Sequence, residues 1–84
     1  MIYNDENWEA GVIRTFTEAV EPEELIWHRD GEDRIIEATE QSDWKIQLDN
    51  QVPIGLNRKV LIKKDEWHRL IKGTGELRLK IIKK

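Results

Sequence analysis

The sequence predicts an all-β domain, a sandwich or a barrel, on three observations. Apolar and polar residues alternate in short runs, most regularly in Trp44-Lys45-Ile46-Gln47-Leu48-Asp49. Turn-forming residues separate these runs at short intervals. No segment keeps a 3.6-residue apolar period over ten residues or more.

Taken in order, Met1–Ala10 is a polar, acidic lead-in with Tyr3 and Trp8 as its large apolar groups. Val12-Ile13-Arg14-Thr15-Phe16-Thr17 is β-branched and aromatic and reads as a strand. Glu21-Pro22-Glu23-Glu24 ends it, since proline fixes φ and removes a ladder donor. A second strand is expected over Leu25–Asp30, with Leu25, Trp27 and Arg29 on one face and Ile26, His28 and Asp30 on the other. Gly31-Glu32-Asp33 turns the chain, and Arg34–Thr39 resumes as a strand. In Trp44–Asp49, Trp44, Ile46 and Leu48 share a buried face, and Lys45, Gln47 and Asp49 share the other. Asn50–Asn57, with Pro53 and Gly55, is a connection. Val60-Leu61-Ile62, Trp67–Lys72 and Glu76–Ile81 complete the strands, with turns at Lys63–Glu66 and Gly73-Thr74-Gly75.

Eighty-four residues are read as one domain, 1–84, small enough that its core is thin. A homodimer is expected, because a second copy buries apolar surface that one copy leaves in water. There are no cysteines, so disulfides and thiolate metal sites are excluded. No apolar run approaches the roughly 18 residues of a membrane span, and no signal segment is evident, so a cytoplasmic location is expected. Residues 1–57 carry 14 acidic and 4 basic side chains, whereas residues 58–84 carry 3 and 10. The lysines lack the interleaved aromatics of a nucleic-acid platform, so this imbalance is expected to neutralise across neighbouring strands; neither nucleic acid nor membrane is expected as a partner.

The chain has two histidines, and each lies in a Trp-His-Arg triplet, at residues 27–29 and 67–69. His28 and Asp30 fall on one strand face about 6–7 Å apart, where they can share a divalent metal if His68 closes from a facing strand. The other reading is a metal-free polar network joining the histidines, Asp30 or Asp33, Arg29 and Arg34. Arg34 is either the planar fork that clamps a ligand carboxylate or half of a structural ion pair. Asp33 and Gln47 are further ligand-binding candidates, Gln47 only if its face lines the interior. Trp27, Trp44 and Trp67 read as core more readily than as an aromatic wall for a ligand. Nucleophile chemistry is excluded, because Ser42 is the one serine and has no G-x-S-x-G setting. Gly73-Thr74-Gly75 lacks the Lys-Ser/Thr and helix of a phosphate loop.

The order of strands around His28-Arg29-Asp30 and Ile62-Lys63-Lys64-Asp65-Glu66-Trp67-His68-Arg69 resembles the two motifs of the cupin superfamily, over about residues 12–82. The resemblance implies a small double-stranded β-helix, or jelly-roll, barrel with its site in the mouth. It implies a divalent metal (iron, zinc, manganese or nickel) on His28, Asp30 and His68, and a small-molecule ligand. Asp30 stands where cupins usually place a second histidine, and Lys63 and Asp65 stand where their turn usually carries proline and glycine. His28-x-Asp30 followed by His68 is also similar to the facial triad of non-haem iron, 2-oxoglutarate-dependent oxygenases. That family often places a cosubstrate arginine near the position of Arg78, although Arg78 alternates with Leu77 and Leu79 and so is expected to face away from the core. The expected function is small-ligand binding, with or without a metal, in the barrel mouth. An oxygenase and a non-catalytic interaction module are the alternatives.

Overall fold

The described residues form eight antiparallel strands: β1 (Tyr3–Trp8), β2 (Gly11–Phe16), β3 (Arg34–Ala38), β4 (Lys45–Leu48), β5 (Ile54–Gly55), β6 (Val60–Ile62), β7 (His68–Ile71) and β8 (Leu77–Lys83). The structure is a computed structural model, and it describes residues 3–8, 11–17, 19 and 25–83. The strands form a five-stranded sheet in the order β1-β2-β8-β3-β6 and a three-stranded sheet in the order β5-β4-β7. No helix among the described residues is long and apolar enough to cross a membrane.

The pairing is nested. Val12–Phe16 pairs with Leu77–Ile81, His28 with His68, Arg34–Ile36 with Val60–Ile62, and Lys45–Ile46 with Ile54–Gly55. From Gly11 onward the chain thus behaves as one long hairpin folded over on itself. Two further ladders, β3 with β8 and β4 with β7, tie the folded layers into sheets.

Alternation explains which residues are inside. Leu77, Leu79 and Ile81 of β8 are buried, as are Val60 and Ile62 of β6 and Ile46 and Leu48 of β4. They meet Phe16, Ile36, Trp44, Leu56 and Leu70 in a single core between the two sheets. Trp44 is 0% exposed and donates its Nε1–H to the Gly75 carbonyl at 3.3 Å, so its one polar atom is partnered. Gly75 has φ of 67°, a left-handed turn position that suits glycine.

Several expectations are corrected. The barrel does not close: hydrogen-bonded ladders remain within each sheet, and the edge strands β5 and β6 have only two and three residues. The strand expected over Leu25–Asp30 contracts to one bridge, His28 with His68. Beyond the bridge the chain bends through Asp65 at φ 62°, and the Asp65 N–H donates to the Asp30 carbonyl at 2.8 Å out of the ladder register, which would set Asp30 opposite Glu66. The lead-in contains β1, paired along its whole length with β2. Its Asn, Asp and Glu residues hide a strand from propensity, because backbone pairing tolerates them at a sheet edge. Ile54–Gly55 interrupts the connection at 50–57 as a two-residue strand. The break expected at Glu21-Pro22-Glu23-Glu24 lies outside the described residues.

Charge is balanced across the five-stranded sheet. β8 runs between β2 and β3, with Lys80 opposite Glu37. Lys83 lies 3.8 Å from Glu32, and Arg78 lies 3.8 Å from Glu40.

Candidate metal centre

The two Trp-His-Arg triplets meet through the His28–His68 bridge, whose two hydrogen bonds are His28 N–H to the His68 carbonyl at 3.0 Å and His68 N–H to the His28 carbonyl at 2.8 Å. Because residues in an antiparallel pair alternate in face, both imidazoles turn inward together. Their ring centroids are 4.4 Å apart and their planes are inclined at 61°. The flanking residues turn outward, and each arginine lies over the other triplet's indole: Arg29 over Trp67 and Arg69 over Trp27, both at 5.0 Å. Trp27 and Trp67 are 39% and 42% exposed. Of the three tryptophans expected in the core, only Trp44 is there. The other two share the face opposite the histidines, where arginine covers them.

Both histidines are held the same way. His28 Nδ1 lies 2.9 Å from the Ile26 carbonyl, and His68 Nδ1 lies 2.8 Å from the Glu66 carbonyl. A carbonyl oxygen can only accept, so each Nδ1 carries a proton, and each ring in its neutral form keeps its lone pair on Nε2. That is the tautomer in which a histidine ligates a metal through Nε2 while a backbone carbonyl fixes its orientation. Burial holds the His68 pKa below its ordinary value of 6.5. The Glu66 carbonyl opposes this shift; His28 reinforces it, Asp30 opposes it, and Arg34 again reinforces it. His68 is only 5% exposed.

Asp30 completes the group. Its Oδ2 lies 3.2 Å from His68 Nε2, and ligand atoms from His28, Asp30 and His68 all lie within 4.8 Å of one another. With His68 neutral, a nitrogen lone pair faces a carboxylate oxygen at 3.2 Å. Two acceptors at that distance repel unless a proton or a cation lies between them. Two imidazoles and one carboxylate form a donor set suited to non-haem iron(II), and a Zn–N or Zn–O bond of about 2.0–2.2 Å is also short enough for the closest pair.

Arg34 borders the same carboxylate. Its Nη1 lies 3.4 Å from Asp30 Oδ2, its Nη2 lies 3.4 Å from Glu32 Oε1, and its Nε is buried without a partner. A cavity of about 50 Å³ lies at this point between the sheets. His28, Asp30, His68, Arg34 and Arg14 line it, together with apolar side chains that include Phe16, Ile62 and Leu70. A larger recess of about 160 Å³, bounded by Ile35, Glu37, Lys59, Lys80 and Ile82, has no imidazole on its walls.

His28, Asp30, His68 and Arg34 are therefore brought together. Asp33 and Gln47 are not. Asp33 is exposed, and its Oδ1 accepts the Lys64 N–H at 2.7 Å, closing the loop before β7. Gln47 lies on the face of β4 opposite the buried Ile46 and Leu48, where it accepts from Arg69 Nε and donates to the Gln51 carbonyl, both at 2.9 Å. Arg14 is the lining residue that sequence reasoning passed over. Its signal is a charge between Val12 and Phe16, at a position sharing the inward face of β2 and lying opposite buried Leu79.

No protein-family model matches the chain, and no curated protein matches it. Among solved structures, the chain is similar to the crystal structure of protein NMB1881 from Neisseria meningitidis, at 15% identity and a TM-score of 0.61, over 96% of this chain and 80% of that one. At that identity the likeness shows the fold alone.

Proposed function

We propose that this chain is a small jelly-roll protein of cupin type that holds one divalent metal on His28, Asp30 and His68 and binds a small ligand beside it. The nested pairing supports the jelly-roll reading. With the His28 bridge counted as a rudimentary strand, the four antiparallel pairs are those of a rolled hairpin. The observation that carries the metal is the opposed pair of acceptors, His68 Nε2 and Asp30 Oδ2, at 3.2 Å. A bound dication supplies Lewis acidity and open coordination positions. The chain's own contribution is to pin both imidazoles in the ligating tautomer and to hold Asp30 between His68 and Arg34.

The metal-free network is the second reading, favoured by Arg34 Nη1 at 3.4 Å from the same Asp30 oxygen. Of the enzyme readings, the 2-oxoglutarate oxygenase has the triad in its favour. It lacks support at Arg78, which alternates with buried Leu77 and Leu79 and lies 3.8 Å from Glu40. A homodimer draws support from Ile35, Leu61 and Ile82, register neighbours on the outer face of the five-stranded sheet, with Leu61 48% exposed.

Cobalt(II) titration followed by visible absorption tests the metal. The expected result is a saturable ligand-field spectrum at one equivalent per chain in wild type, abolished in Asp30→Ala. A folded wild-type protein that gives no such spectrum supports the metal-free network.

A further inference from the structure

We infer that Arg34 is the built-in counter-ion of the metal-free triad, and that Glu32 is the positioning residue that takes Arg34 over when a dication binds Asp30. This deepens the metal-site reading and rests on it.

One oxygen carries the argument. Asp30 Oδ2 lies 3.2 Å from His68 Nε2 and 3.4 Å from Arg34 Nη1. A metal–oxygen bond of about 2.0–2.2 Å keeps a cation on that oxygen within about 6 Å of Nη1. Like charges at that range lie inside the Debye length of about 8–10 Å, and burial strengthens their repulsion. Asp30 and Arg34 both line the inter-sheet cavity and are largely buried. Arginine cannot relieve the repulsion by losing its proton. It either moves or weakens the metal.

The opposite role would be to help the metal by orienting Asp30, as donors to ligating carboxylates do at other sites. The distances decide against it. At 3.4 Å the Arg34–Asp30 contact is longer than the roughly 2.7–2.9 Å of a charge-assisted hydrogen bond, and Arg34 Nε is buried without an acceptor. A donor so loosely engaged fixes no carboxylate orientation, and little is lost when it leaves. Its destination is already in place. Nη2 lies 3.4 Å from Glu32 Oε1, and Glu32 is 39% exposed and off the cavity wall. The same Glu32 oxygen lies 3.8 Å from half-exposed Lys83, which can return to water as Arg34 closes on Glu32. Arg34 thus stands at equal distance from two carboxylates, and a metal competes for only one of them.

Cobalt(II) dissociation constants of the 84-residue chain test the inference, in wild type, Arg34→Gln, Glu32→Gln and the double variant. The counter-ion and orienting roles differ in sign. Arg34→Gln should bind cobalt(II) about 10-fold or more tighter than wild type, and Glu32→Gln about 10-fold weaker, the scale seen for residues that contact metal ligands. In the Arg34→Gln background, Glu32→Gln should cost no more than about 2- to 3-fold, the worth of an exposed charge, because no guanidinium is left to take over. Glu32→Asp, which keeps the carboxylate, should recover part of the loss. If Arg34→Gln does not fold, Glu32→Gln and Glu32→Asp carry the test, and wild-type affinity in Glu32→Gln overturns the inference. Unchanged or weaker binding in a folded Arg34→Gln, or an equal effect of Glu32→Gln in both backgrounds, would also overturn it and leave the metal centre standing. Uptake by Arg34→Gln but not by wild type would support it, with Arg34 outcompeting cobalt(II) for Asp30. No uptake by any of the folded proteins would overturn it together with the metal centre.

Discussion

His28 and His68 face each other as a single hydrogen-bonded pair, forty residues apart in sequence, with their rings 4.4 Å apart on the inner side of the bridge. The bridge has only one residue on each strand, so its neighbours must help to keep it closed. On the outer side, Arg29 covers Trp67 and Arg69 covers Trp27. The repeated Trp-His-Arg triplet thus has a structural reason: antiparallel pairing about the central histidine sets each tryptophan opposite the other triplet's arginine.

Double-mutant cycles on these two pairs should report that clasp. Trp67→Ala with Arg29→Ala, and Trp27→Ala with Arg69→Ala, are each expected to show a coupling of about 0.5–1 kcal/mol in urea unfolding, the range for an exposed cation–π contact. Additive effects within both pairs would mean that the stacking does not hold the bridge.

Asp43 and Gly73 fix the turn that covers Trp44. A Cβ at Gly73 would lie 2.2 Å from Asp43 Oδ1 and 2.7 Å from the Trp44 backbone nitrogen. Gly73→Ala is therefore expected to lower stability by about 1–3 kcal/mol, the cost of forcing a packed site apart. Chemical denaturation measures it, and a change within error of zero would show that the turn yields without strain.

The same turn gives a pH dependence. Asp43 accepts the Thr74 N–H at 2.9 Å and the Thr74 hydroxyl at 3.0 Å, and these bonds hold its carboxyl below its ordinary value of 3.8. Its contribution is present above the unfolded value and is lost as pH falls through the lower folded value. Compared with Asp43→Asn, wild type should show a stability advantage near neutrality that narrows below about pH 4. Thermal melts from pH 2 to pH 7 on both proteins measure this difference, and a constant one would contradict the assignment.

Asp65 takes φ of 62° in the loop that carries Glu66, whose carbonyl orients His68. Asp65→Gly is expected to be neutral or stabilising by up to about 1 kcal/mol, whereas Asp65→Val should destabilise by more than that. Equilibrium unfolding of the two variants distinguishes this backbone effect from a role for the carboxylate, in which case both would lose stability.

Much of the fold was legible because burial follows alternation. Trp44, Ile46 and Leu48 read as one face and are buried together, and Gln47 read as the other face and lies there. What alternation cannot convey is ladder length. Leu25–Asp30 has strand-like faces, yet its ladder is the single His28 bridge, and beyond it Asp65, at φ 62°, donates its N–H to the Asp30 carbonyl out of ladder register. β1 was hidden for the opposite reason, being polar in sequence and paired along its length. In the site, His28, Asp30 and His68 were legible from the repeated triplet and the two-residue spacing. Arg14 was not, because a single charge in a β-branched run resembles a solvent-facing position until the register sets it opposite Leu79. Trp27 and Trp67 were assigned to the core by their size, whereas their place on the face opposite the histidines decided their exposure.

The most direct test of the metal centre is the metal content per chain of untagged protein, measured by elemental analysis in wild type and in His68→Ala. One equivalent of iron, zinc, manganese or nickel in wild type, lost in a folded His68→Ala, is the predicted result. A folded wild-type protein that carries no metal and takes up none from excess iron(II) or zinc would contradict the metal centre.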